Sequence, residues 1–131
     1  MIGLDTNVIV RYLAQDDPVQ SRVATDVIER RLNDSNPGFI SVVAMAETAW
    51  VLERAYGLAD ADIAAAIERL LQADVLVVER EQQVFTAMVA LMEGRGSFAD
   101  ALIGALGAEA GCSGTLSFDR KTLALPGFEH P

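Results

Sequence analysis

The sequence predicts an α/β domain: a three-layer α/β/α sandwich in which helices cover both faces of a central parallel β-sheet. Three observations lead there. Short apolar runs alternate with segments of helical periodicity along the whole 131 residues, the pattern of βα units. The run Val75–Val78 is continuously apolar, as in a strand buried on both faces. Helix starts and stops are marked one by one, by Asp17-Pro18 at a start and by Gly57, Gly94 and Gly111 at ends.

Taken in order, Ile2–Leu4 is a first strand, expected centrally in the sheet, running into a short helix over Asn7–Ala14. Asp17 caps a second helix with Val19, Val23, Val27 and Leu32 on one stripe. Asn36-Pro37-Gly38 is a turn and Phe39–Val42 a second strand. A helix from about Val43 to Tyr56 follows, and Asp60 caps another with Ile63, Ile67, Leu70 and Leu71 at helical spacing. After the Val75–Val78 strand come helices over Gln82–Glu93 and Phe98–Ala110. Gly114–Ser117 is a fourth strand, and the tail after Pro126 adds a short edge strand. No linker or repeat divides the chain, so residues 1–131 read as one domain.

Composition narrows the function. A hydrophobic fraction of 51% suits a packed core. Cys112 is the only cysteine, so no disulfide forms within the chain, which fits a reducing, cytoplasmic setting. No signal peptide or membrane-length apolar run is visible. His130, one residue from the end, is the sole histidine, which argues against Ser-His-Asp and Cys-His chemistry and rules out multi-histidine zinc sites. The net charge of −9 argues against a general nucleic-acid coat. Nine of the ten basic residues are arginines, the side chain suited to bidentate phosphate contacts.

Most acids fall on solvated helix faces, but four stand alone in apolar surroundings. Asp5 ends the first strand, Glu47 interrupts "SVVAMAETAWVL", Asp100 interrupts "FADALIGALG", and Asp119 follows "TLSF". Each has an ordinary explanation. Asp5 and Asp119 could start helices, Asp100 could complement a helix dipole, and Glu47 could pair with Arg54. A joint explanation is that all four line the crevice at the carboxyl ends of parallel strands, where ligands bind in such folds. Two carboxylates about 6 Å apart repel by roughly 3 kcal/mol at an effective dielectric near 20, so in a cluster of four either some stay protonated or a cation is present. Ligands that are all oxygen select a hard ion, Mg²⁺ or Mn²⁺. Such ions activate water and neutralise phosphate, the machinery of phosphodiester hydrolysis. Arg11, Arg95 and Arg120 are the basic residues nearest this site in sequence.

At these residues the chain resembles the PIN-domain ribonucleases and, among them, the VapC toxins of bacterial toxin–antitoxin (VapBC) pairs. The resemblance rests on "LDTNVIVRYL" with "DDP" after it, "AETAWVL", "FADALIGALG" and "LSFDRK". It implies a quartet of Asp5, Glu47, Asp100 and Asp119 binding one or two divalent ions. Asn7 and Ser117 would support the quartet by hydrogen bonding. It further implies an endoribonuclease acting on tRNA or rRNA, a VapB-like antitoxin partner and a homodimer. Many relatives carry another acid three residues before Asp100, where this chain has Ser97, so the resemblance leaves one against two metals open.

Three other readings compete, the first of which the sequence barely separates from the toxin. A PIN nuclease of RNA processing, without an antitoxin, uses the same residues. A haloacid-dehalogenase-like phosphatase would need Asp at position 7 as general acid, and Asn7 cannot serve. A receiver-type signalling domain needs an acceptor Asp after its third strand, where "VLVVEREQQ" offers only Glu.

Overall fold

In the computed structural model, which describes residues 1–131, strand β1 (Ile2–Gly3) leads through Asp5 into helix α1 (Thr6–Ala14). Helix α2 (Pro18–Asp26) continues into a π-helical turn, Val27–Arg31. Strand β2 (Gly38–Ile40) is followed by α3 (Val42–Arg54) and α4 (Asp60–Gln72), and β3 (Leu76–Val78) by α5 (Glu81–Met92) and α6 (Phe98–Glu109). Strand β4 (Thr115–Leu116), a 3₁₀ turn (Arg120–Ala124) and β5 (Phe128–Glu129) complete the chain.

The central sheet is parallel, with β2 between β1 and β3. The expected position of the first strand at the middle of the sheet is not observed. Strand β1 pairs with β2 only, while β4 and β5 form a separate parallel ladder. Gly38, at the centre of the three-stranded ladder, lies close under three leucine side chains, which would have to shift for any Cβ. A Cβ there would lie 2.7 Å from Leu32 Cδ1 and 3.0 Å from Leu76 Cδ2.

Helix starts follow side-chain caps that satisfy otherwise orphaned backbone N–H groups. The Asp17 carboxylate accepts from the N–H groups of Val19 and Gln20, Ser41 Oγ from that of Ala44, and Ser97 Oγ from that of Asp100. Ser97 thus keeps a capping role in the place where relatives carry an acid. Asp60 is the first residue of α4 rather than its cap, which is Ala59 and makes no side-chain bond. Its negative charge in that first turn still complements the helix dipole.

One contiguous core joins the elements, with Ile9, Ile40, Met45, Leu52, Ile67 and Val84 among its most deeply buried side chains. Two expectations about burial fail. Val19 and Val23 are 73% and 59% exposed, and α2 turns Ser21 and Ala24 inward instead. Small residues let α2 approach closely. The π turn, with Leu32 N–H bonding to the Val27 carbonyl, then breaks the helical period on which the stripe was read. Val77 is 42% exposed between buried Leu76 and Val78, because β3 is an outer strand with one face covered here.

Candidate active site

The four acids sit on the elements expected of them, and all are accessible. Asp5, Glu47 and Asp119 are exposed, and Asp100 is half-buried. Asp5 is the N-cap of α1, with Oδ1 accepting from Thr6 N–H at 2.8 Å. Asp119 Oδ1 accepts from Lys121 N–H at 2.9 Å. Both local roles are therefore real, and each uses one oxygen and leaves the other free. Asp100 lies in the first turn of α6.

Glu47 differs from expectation in two ways. Its helix face carries Val43 and Trp50, one turn to either side, and these are 74% and 56% exposed. The acid therefore stands on an open surface, not in the core. Arg54 does not pair with it, since that guanidinium lies over the Trp50 ring at 5.7 Å.

None of the four carboxylates has a basic partner. The ion pairs of the chain are Arg11–Asp16, Arg30–Asp26, Arg80–Glu109 and Arg95–Glu93. Asp5, Asn7, Arg11 and Glu47 line one open cavity of about 400 Å³, with Val51 and Tyr56 on its wall. Asp100, on α6, and Asp119, after β4, lie outside that lining. No three Asp, Glu, His or Cys side chains converge tightly enough to hold a metal ion. The donor chemistry still fits a hard cation: all oxygen, unpaired, with free carboxylate oxygens. Ser117 Oγ accepts from Asp119 N–H at 3.0 Å and so fixes the loop that carries that acid. Asn7 is exposed, and its side chain makes no hydrogen bond within the chain.

Of the three candidate arginines, two are already engaged. Arg95 pairs with Glu93. Arg11 donates through Nε to Gln20 at 2.8 Å, and through a terminal nitrogen to Asp16 at 3.3 Å and to the Tyr56 hydroxyl at 2.9 Å. Arg120 forms no ion pair.

The Arg11 network is the part of the site that sequence reasoning missed. Tyr56 Oη donates to Asp16 Oδ2 at 2.7 Å. That hydrogen bond, more than the neighbouring Arg11 charge, holds the Asp16 carboxyl below its ordinary range, with burial opposing. The same bond, with burial and the Asp16 charge, pushes the Tyr56 hydroxyl up. A signal existed in "QDDP": Asp17 has a capping role, while Asp16 beside it has none of its own. The stabilisation Asp16 contributes is present above the ordinary carboxylate range and is lost as pH falls through its lowered pKa. That from Tyr56 is present below the ordinary phenol value and is lost as pH rises through the raised one. Tyr56→Phe removes the donor, so the Asp16 pKa should move up toward its ordinary value. NMR titration of its carboxyl carbon measures this, and an unchanged midpoint would show that Tyr56 does not set it.

Helices around a parallel sheet, with accessible carboxylates that lack a basic partner, place the chain among α/β domains. The chain belongs to the PIN domain family, whose model matches residues 2–127 and whose members are generally metal-dependent nucleases. No curated protein matches the chain. No helix is long and apolar enough to cross a membrane.

Proposed function

We propose that this chain is an endoribonuclease dependent on Mg²⁺ or Mn²⁺ and the toxin of a VapBC pair, cutting tRNA or rRNA in the cytoplasm. The observation that carries the reading is that Asp5, Glu47, Asp100 and Asp119 are all accessible and all lack a cationic partner, in a chain of the PIN family. These four would hold one or two ions. Bound there, the metal would supply water activation and charge neutralisation at the phosphate.

The chain's own side chains divide the remaining tasks. Asp5 and Glu47 present carboxylate oxygens to one cavity, where the Asn7 amide can bond either to a carboxylate or to the substrate. Ser117 steadies the Asp119 loop. Arg120, unpaired beside Asp119, is placed for a phosphate contact, whereas Arg11 and Arg95 would have to exchange a carboxylate for one. A net charge of −9 limits phosphate binding to such local contacts, which suits a structured RNA target.

Purified protein incubated with tRNA and rRNA fragments should cut them with Mg²⁺ or Mn²⁺ and not with chelator. Cleavage unaffected by chelator would overturn the metal assignment. Toxin and RNA-processing nuclease separate in vivo. Expression should arrest growth, and co-expression of a small adjacent open reading frame, the VapB-like antitoxin, should restore it. A processing enzyme would show neither effect. Homodimerisation is read out by sedimentation of the purified chain.

A further inference from the structure

We propose that Trp50 and the cavity beside it form a base-binding subsite for guanine in single-stranded RNA. This subsite rests on the nuclease reading and deepens it, by naming what fixes the cleavage position. The cavity, about 280 Å³, lies between α3, the start of α4 and the turn into α6, with Trp50, Glu53, Asp60, Ser97 and Phe98 on its wall. It is smaller than the roughly 300–1,000 Å³ of pockets that enclose a drug-sized ligand, and of a size for one base.

Its position ties it to the acids. Trp50 is three residues after Glu47, about one turn along α3, and the wall includes Ser97, the N-cap of α6, and Ala99, in the first turn that bears Asp100. A base held there would place its own phosphate next to the two helices that carry these carboxylates.

The chemistry selects the occupant. Trp50 is more than half exposed, and with Arg54 over one face of its ring the opposite face would stack on a base. Arg54, which lies over the ring and is not part of the cavity wall, brings an unpaired cation to the rim for the adjoining phosphate. Glu53 and Asp60 make no ion pair, and neither accepts a side-chain hydrogen bond within the chain. Ionised carboxylates only accept hydrogen bonds. Guanine is the base whose pairing edge presents two adjacent donors, N1–H and the N2 amino group, matching the two oxygens of one carboxylate. Uracil presents one N–H between two carbonyls that such oxygens repel, and adenine and cytosine present one amino group beside a ring acceptor.

Trp50 is the only tryptophan, so intrinsic fluorescence reports on this site alone. With chelator present to prevent cutting, the parent chain is titrated with uridine tetranucleotides carrying one guanosine, one inosine, one adenosine or no substitution. The guanosine oligonucleotide should quench the fluorescence and bind about tenfold more tightly than the adenosine and unsubstituted ones, with inosine, which lacks the N2 amino group, in between. By anisotropy of labelled oligonucleotides, Trp50→Leu should bind about tenfold more weakly and Trp50→Phe close to the parent. Glu53→Gln or Asp60→Asn should erase the guanine preference while stacking remains. Equal affinity for all four oligonucleotides, or a Trp50→Leu variant that binds like the parent, overturns the subsite. Cleavage is scored separately with Mn²⁺. Cutting without guanine preference removes the subsite and leaves the nuclease reading, whereas guanine-dependent quenching without cutting does the reverse.

Discussion

Asp5→Asn should leave the domain folded and reduce RNA cleavage by at least about 100-fold, the scale on which single electrostatic groups act in active sites. Asparagine caps a helix about as well as aspartate does, so the bond from Thr6 N–H to position 5 survives the change. What disappears is the charge, and with it a hard anionic ligand for a divalent ion. Near-parental cleavage by a folded Asp5→Asn variant would remove Asp5 from the metal site. A second readout needs no RNA. A ligand that binds only the folded state at 100 times its Kd stabilises it by about 2.7 kcal/mol. Mn²⁺ should therefore raise the melting temperature of the parent, and raise that of Asp5→Asn much less.

The second large effect lies four residues on. Ile9 is fully buried, and its N–H bonds to the Asp5 carbonyl at 3.3 Å, so the first turn of α1 and the core meet at this residue. Ile9→Ala should cost about 2–5 kcal/mol, the transfer term plus the cavity left behind. That is a large share of the roughly 5–15 kcal/mol by which domains are stable. Urea unfolding should show a lower midpoint at an unchanged slope. A loss below about 1 kcal/mol would mean that α1 collapses around the smaller side chain. The two variants separate the roles of one short segment, since Asp5→Asn should lose activity at full stability, and Ile9→Ala stability first.

The elements were legible because their punctuation is local. Asp5, Asp17, Ser41 and Ser97 are followed by helices whose N–H groups they cap, and a cap is written within four residues. Pairing between strands is not local. Strands of two or three residues carry little pattern of their own, and nothing within β1 or β4 says that each pairs on one side only. The stripe on α2 was misread because a π turn changes the period, and Val77 because a neighbour in space decides which face of an outer strand is covered. The acids were found as interruptions of apolar runs. That signal led to accessible side chains rather than buried ones, since α3 is apolar on its exposed side as well. Trp50 and Val43, the residues that made Glu47 look buried, are surface residues. The Tyr56–Asp16 bond spans forty residues, and no local pattern could have joined them.

The small β4–β5 ladder has a consequence for the order in which the protein becomes competent. The Asp119 loop is held from one side only: Thr115 N–H bonds to the Gly127 carbonyl, Ser117 N–H to the Glu129 carbonyl, and Phe118 meets His130 edge to face. Each of those partners is synthesised after Asp119 itself. The Asp119 loop therefore takes its final form only once the residues that follow it in the chain have folded back.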